Sequence, residues 1–279
     1  QMLKMAEHFP LRDFGFHSLK SIHVMTEIEK LSFADRAKHL GDPDFYKVPE
    51  KSLIDSLYLL ERSNKINIDS TLLSSGIYAG EFNLNESEET THFSIVDEYG
   101  NASSLTTTLN GSFGSGIIVD GAGFLLNNEM DDFSIQPGYP NMYGLIGGEA
   151  NAVEPSKRML SSMTPTILEK DGNLFMVLGT PGGSTIITAV FQTIINVVDY
   201  DMSIEQAVNS PRFHHQWYPD EIKLEKDIAK DSNLIIQLKA MNHQLNFVSS
   251  MNRVDAILVK KNKYFGGADN RGDDHVSFF

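Results

Sequence analysis

Between His17 and Leu40 the apolar residues fall at Leu19, Ile22, Met25, Ile28, Leu31 and Phe33, a spacing close to one face of a helix. Gly41 and Pro43 follow, a glycine just past a helix end and then a proline, so the helix should stop there. A shorter helix is predicted over Glu50–Arg62. From Ser63 to Glu89 the pattern dissolves into serine, asparagine, glycine and acids, which reads as an extended connection. The period then changes. Phe93 and Ile95 alternate with Ser94 and Val96, the turn-like Asp97-Glu98-Tyr99-Gly100-Asn101 follows, and a Thr-rich strand runs through Leu109. A short apolar strand is predicted over Asn173–Leu178. It enters Gly179-Thr180-Pro181-Gly182-Gly183-Ser184 and then an apolar helix to about Asp199. Further helices are predicted at Ile204–Asn209 and Ile228–Met241, and a last strand at Tyr264–Gly267. No internal repeat or low-complexity tract interrupts this order.

One register follows from the turn alone. If the hairpin centres on Tyr99, paired residue numbers sum to 198, so Val96 faces Ala102, Ser94 faces Ser104 and Thr90 faces Thr108. A slip of one residue would send Thr108 to the other face.

Composition narrows the chemistry. The chain has 279 residues and 41% hydrophobic content, enough for a sizeable core. It contains no cysteine, which removes disulfides, thiolate metal sites and cysteine nucleophiles. A net charge of −14 lacks the cationic footprint that nucleic acid requires. No apolar run reaches transmembrane length. The first residue, Gln1, falls inside a helical pattern (QMLKMAEHF), so an upstream part of the protein is expected.

Several stretches carry candidate chemistry beside a plain structural reading. In ESEETTHFS, residues 86–94, Thr90 opens a strand, a position that suits any threonine. If the chain were cut before it, however, Thr90 would own both a hydroxyl nucleophile and, in its α-amine (reference pKa about 7.7–8.0), a base. Gly182 and Gly183 could turn their amides toward an oxyanion at a helix start, or simply make a tight turn. The carboxylates and amides of residues 127–133, Glu129 and Asp132 among them, could hold a substrate ammonium or a calcium ion, or form a solvated turn. The loop QPGYPNMYGLIGG, with Tyr143, is long enough for a lid. Ser161-Ser162 lacks a nucleophile elbow, and its hydroxyls could bind a carboxylate or make structural hydrogen bonds. In Phe213-His214-His215-Gln216-Trp217 adjacent histidines seldom share a face, which favours packing over a metal.

Taken in order, TTHFSIVD (90–97), TLNGSFGSG (108–116), GFLLNNEMDDFS (123–134), PNMYGLIGG (140–148), LSSMTPTI (160–167), GTPGGSTIIT (179–188) and PRFHHQW (211–217) resemble the gamma-glutamyltransferase (gamma-glutamyltranspeptidase) family. FADR at 33–36 and GDPDF at 41–45 resemble the end of that family's large subunit.

The resemblance implies an α/β (α+β) fold, the αββα four-layer sandwich of the N-terminal-nucleophile hydrolases. It implies autocatalytic cleavage between Glu89 and Thr90, with residues 1–89 ending a large subunit and 90–279 forming the small one. By position, Thr90 would be the nucleophile, Thr108 its orienting hydroxyl, and Gly182 and Gly183 the oxyanion hole. Asn110, Glu129 and Asp132 would hold the α-amino end of a gamma-glutamyl group, Ser161 and Ser162 its α-carboxylate side, and Tyr143 would cover it. The main α-carboxylate arginine of the family is expected upstream of this chain. Met159, Thr164 and the Ala268-Asp269-Asn270-Arg271 stretch depart from the family pattern. The expected donor is glutathione and related gamma-glutamyl compounds, with amino acids, peptides or water as acceptors. No cofactor and no metal are called for, and the location implied is periplasmic or secreted. Two alternatives stand beside this reading: a glutaryl or poly-gamma-glutamate acylase of the same superfamily, and an unprocessed, inactive binding protein.

Overall fold

The computed structural model describes residues 1–79 and 91–278. Glu89 and Thr90, and with them the expected cleavage site and nucleophile, lie outside the described residues. The helices α1 (Met2–Ala6), α2 (Leu11–Phe14), α3 (Leu19–His39), α4 (Glu50–Leu53) and α5 (Ser56–Ser63) come first. Four strands follow: β1 (Thr91–Val96), β2 (Ala102–Thr107), β3 (Thr166–Lys170) and β4 (Asn173–Gly179). Next come α6 (Thr185–Val198), α7 (Ile204–Asn209), β5 (Phe213–His214), β6 (Ile222–Glu225) and α8 (Ser232–Ala240). The strands β7 (Leu245–Val248), β8 (Asp255–Lys260) and β9 (Lys263–Gly267) end the order.

These elements form two compact units that interleave along the chain. One holds residues 1–79, 129–161 and 213–249, the other 91–128, 162–212 and 250–278. Such units are defined in space. The division expected at residue 89 would be a covalent cut, so the two partitions describe different things.

The first unit is built on α3. Its N-cap is Ser18, whose side chain accepts the Ser21 amide, and it ends before Gly41 as the sequence predicts. Periodicity predicts one buried face, yet α3 is buried nearly all round: Ile22, Val24, Ile28 and Ala34 are fully buried, and so are Glu27, Glu29 and Asp35. Burying charge is costly unless it is paired. Lys30 Nζ lies 3.0 Å from Glu27, and Arg62 Nη2 lies 2.6 Å from Asp35. The single helix predicted over Glu50–Arg62 is two, because the Asp55 side chain caps Leu57 and Tyr58 and restarts the helix as α5. The strands β5, β6 and β7 form a small sheet in which β6 and β7 are parallel.

The second unit is layered. An antiparallel sheet in the order β3-β4-β8-β9 carries α6 and α7 on one face. Met176, Leu178, Val190, Ile194, Val208 and Leu258 form the core between them. Gly179 has the opposite parity to Leu178 on β4, and there the β1–β2 hairpin packs: a Cβ on Gly179 would lie 2.3 Å from the His92 ring. The Ser104 hydroxyl donates to the Leu178 carbonyl at 3.0 Å and accepts the Thr166 amide at 3.0 Å, which fixes the hairpin along β4.

Candidate active site

The hairpin register is the one the turn predicts. Val96 pairs with Ala102, Ser94 with Ser104 and Thr91 with Thr107, each pair summing to 198. Asp97 fixes the turn by accepting from the amides of Tyr99 and Asn101. The Thr90–Thr108 pair of that register involves a residue outside the described ones. On the hairpin, the His92 ring is held between the hydroxyls of Thr106 (2.8 Å) and Ser94 (2.9 Å), and burial lowers its pKa to about 4, so it is neutral.

Past β2 the chain turns sharply. Thr108 Oγ1 accepts the Asn110 amide at 2.9 Å, and Asn110 adopts a left-handed conformation (φ 68°) with a buried side chain. Asn110 Nδ2 donates to the Asn128 carbonyl at 3.2 Å, and the Asn128 side chain accepts the Gly111 amide at 2.7 Å. Gly114, at φ 54°, is required by a close approach, since a Cβ there would lie 2.1 Å from the Leu126 carbonyl oxygen. Asn110 Oδ1 is buried and, among the described residues, accepts no hydrogen bond.

The second glycine element sits between β4 and α6. Gly182 has φ 134°, a conformation left to glycine, and Gly183 φ 64°, a left-handed one that glycine adopts most readily. The Thr185 hydroxyl donates to the Gly182 carbonyl at 2.6 Å, and the Ile186 amide donates to the Gly183 carbonyl at 3.0 Å. Both carbonyls are thus committed, whereas neither glycine N–H donates a hydrogen bond among the described residues. Asn252 backs the turn, donating to the Pro181 carbonyl at 2.9 Å.

These two turns face one cleft of about 730 Å³, lined by Thr108, Asn110, Gly182, Asn252, Arg253 and Arg271 among others. Three predicted site residues from two distant stretches of chain therefore meet in one place. Gly183 adjoins the cleft's Gly182, and Ser162 is buried elsewhere in the same unit, its carbonyl accepting the Thr164 hydroxyl. The two arginines were not legible as cleft residues. Arg253 arrives because its amide donates to Thr180 Oγ1 at 3.0 Å, a contact across 73 residues. Arg271 is anchored through Asp269, whose carboxylate also takes the buried Arg212 at 2.6 Å and the Val254 amide at 2.9 Å.

The remaining candidates lie in the first unit. Glu129 and Asp132 bracket a 3₁₀ turn. Burial pushes the Glu129 carboxyl up, and Asp132 is fully buried. Tyr143 sits in a loop closed by the Pro140–Ile146 bridge, its carbonyl accepting from Gln216 at 3.0 Å. Ser161 is half-buried.

The paired histidines take different partners. His214 meets Gln216 at 2.8 Å, and His215 meets Asp220 at 3.3 Å. Burial lowers the pKa of His214 to about 3 and of His215 to about 4. Sequence reading missed a further cluster, His23, Glu27 and His243, whose donor atoms lie within 4.8 Å of one another and could in principle take a metal ion. Those atoms are already committed: His23 Nδ1 meets His243 Nε2 at 2.7 Å, and Glu27 accepts from Lys30, Thr71 and the Leu72 amide. The Lys30 ammonium already supplies the positive charge there.

These buried neutral histidines set a pH dependence. Their folded pKa values lie below the unfolded value of about 6.5, so the unfolded chain takes up protons first. The stability they contribute is full above pH 6.5 and is lost as pH falls toward 4 for His215 and toward 3 for His214. Each contributes a slope of up to about 1.4 kcal/mol per pH unit in that window. Urea midpoints measured between pH 7.5 and 4.5 should therefore fall below pH 6.5, and a flat profile would contradict this.

Comparison with known proteins agrees with the motifs. The family model described as Gamma-glutamyltranspeptidase matches residues 1–279. The Glutathione hydrolase proenzyme of Escherichia coli (strain K12) is 45% identical over 278 residues, covering 99% of this chain and 48% of that protein. The chain thus spans about half the length of the curated relatives it matches. The Gamma-glutamyltranspeptidase from Pseudomonas nitroreducens complexed with L-DON is similar in structure, with a TM-score of 0.66 and 48% identity over 68% of this chain and all of that one. The cephalosporin acylase from Bacillus halodurans has a TM-score of 0.80 over 99% of this chain and 49% of its own. At 22% identity it speaks for the fold alone, the mixed helices and sheets of an N-terminal-nucleophile hydrolase. The chain belongs to the gamma-glutamyltranspeptidase family.

Proposed function

We propose that this chain carries the cleavage site and most of the catalytic machinery of an enzyme that splits gamma-glutamyl amides, glutathione foremost, through a Thr90 acyl-enzyme. The observation that carries this reading is the cleft in which Thr108, Asn110 and Gly182 meet. Cleavage between Glu89 and Thr90 would leave residues 1–89 and 90–279 as parts of two associated subunits. The new α-amine then takes the Thr90 hydroxyl proton as Oγ1 attacks the γ-carbonyl carbon. The Thr108 oxygen already accepts the Asn110 amide, so its own O–H is available to orient the nucleophile.

The Gly182 and Gly183 amides, which have no acceptor among the described residues, are suited to the oxyanion. The amine carries the proton to the departing nitrogen, and a gamma-glutamyl ester remains. Water, an amino acid or a peptide then takes the acyl group. At the other end of the substrate, an ammonium supplies the donor that Asn110 Oδ1 lacks among the described residues. Glu129 and Asp132 are assigned to the same ammonium by the motif they match, not by their placement. Ser161 and Ser162 serve the α-carboxylate, and Tyr143 covers the bound group.

The test is a substrate pair. The natural protein should hydrolyse a gamma-glutamyl anilide and leave the glutaryl anilide, which lacks the α-ammonium, at least about a hundredfold slower in kcat/KM. Equal rates on both would favour the glutaryl acylase reading. No cleavage of either would favour the binding protein.

A further inference from the structure

The loop that carries Tyr143 begins just after Asp132 and ends just before Ser161, so two proposed binding residues stand at its two ends. Between them lies Asn151, in the 3₁₀ turn Glu149–Asn151, with no exposed surface. Its Nδ2 donates to the Asp132 carbonyl at 2.7 Å, and its Oδ1 accepts the Leu160 amide at 3.0 Å. Its own carbonyl accepts the Ser134 amide at 3.1 Å. One buried side chain thus ties the residue that precedes Ser161 to the backbone of Asp132. The carboxamide offers a donor and an acceptor on one rigid fork, which an ionised carboxylate of the same volume does not.

The brace is itself seated. Ala150 packs against Gly41, where an added Cβ would lie 2.7 Å from the Ala150 carbonyl oxygen. Arg158 is fastened to Asp42 by its backbone amide at 2.8 Å and by its guanidinium at 2.6 Å. The later half of the loop is therefore held against residues 41–42 at Ala150 and Arg158, and Asn151 is the crosspiece to Asp132.

We propose that Asn151 is a positioning residue for the gamma-glutamyl pocket, setting the distance between the ammonium-binding turn at Glu129–Asp132 and the carboxylate-binding segment at Ser161. This rests on the function proposed above. Asn151 touches no substrate. It acts through Asp132 and Leu160, so its loss should weaken substrate binding and leave the chemistry at Thr90 largely intact.

The experiment compares wild type, Asn151→Ala and Asn151→Asp, each as the natural protein. Intact mass reports cleavage, thermal melting reports folding, and kcat and KM are measured on a gamma-glutamyl anilide. Asn151→Asp keeps the volume and the acceptor for Leu160 but sets an oxygen against the Asp132 carbonyl. The expected result is cut, folded protein whose KM rises about tenfold, the scale of one lost buried hydrogen bond, with kcat within about threefold. A cut, folded variant with unchanged KM would overturn the inference, and so would a fall in kcat at constant KM. Failure of both variants to yield folded, cut protein would also overturn it, because Asn151 would then be a folding residue. A wild type that is inactive on the gamma-glutamyl anilide would mark failure of the functional reading itself, and this inference would fall with it.

Discussion

Thr90→Ala is expected to leave one uncut chain and to lower turnover at least about 10⁴-fold, the scale seen when a nucleophile is removed from a catalytic unit. Two losses combine here. Alanine has no hydroxyl to attack the Glu89 carbonyl, so the covalent cut and the new α-amine never form. Even if the chain were cut by other means, no oxygen would be present to accept the acyl group. Thr90→Ser separates the two requirements: it keeps a hydroxyl, so it should still cut, and it should retain measurable turnover. Mass spectrometry and a gamma-glutamyl anilide assay on both variants check this. Full turnover in Thr90→Ala would end the mechanism.

The second large effect is on stability. Asp269 lies at the centre of a buried ion network: it accepts from Arg212 Nη2 at 2.6 Å, Arg271 Nη1 at 2.9 Å, and the amides of Val254 and Arg271. Burial opposes ionisation of this carboxyl, yet the Arg212 charge and these hydrogen bonds hold it below the usual range. Arg212 is itself only 2% exposed. Asp269→Ala would leave that guanidinium uncompensated, and breaking a buried pair from one side costs about 3–5 kcal/mol. Urea denaturation should record a loss of that size at pH 7. Because the folded pKa lies below the unfolded one, the Asp269 contribution is present above about pH 4 and is lost as pH falls, so the gap between wild type and variant should narrow in acid. A variant as stable as wild type at neutral pH would contradict the network's role. The same change removes the carboxylate partner of Arg271, which lines the cleft and keeps its bond to the Ser210 carbonyl, so kcat/KM should fall as well.

What the sequence made legible follows from period and local chemistry. The hairpin register could be read because strands repeat every two residues and the Asp97–Gly100 turn fixes the centre of the hairpin. The glycine pair before α6 could be read because only glycine accepts φ 134° at Gly182. Helix α3 was placed correctly, yet its burial all round was not legible: Glu27, Lys30 and Asp35 read as a polar face until their partners Thr71, Leu72 and Arg62 are seen. The short strands β5, β6 and β7 escaped because two to four residues carry too little pattern, and β6 pairs in parallel with a strand twenty residues away. The Asp55 cap that splits the second helix was hidden inside an apolar spacing that suits one helix as well as two. In the site, motif positions brought Thr108, Asn110 and Gly182 to one cleft. Arg253 and Arg271 joined it through backbone and carboxylate contacts that no local spacing announces. Asn151 was invisible for the same reason. Its importance lies in two backbone groups, at Asp132 and Leu160, that the chain brings to it.

The central claim is that the nucleophile is created by a cut before Thr90. N-terminal sequencing of every fragment of the purified natural protein, together with its intact mass, tests this most directly. The account predicts a small fragment that begins Thr-Thr-His-Phe. A single uncut chain with undiminished activity, or a cut at any other bond, would contradict it.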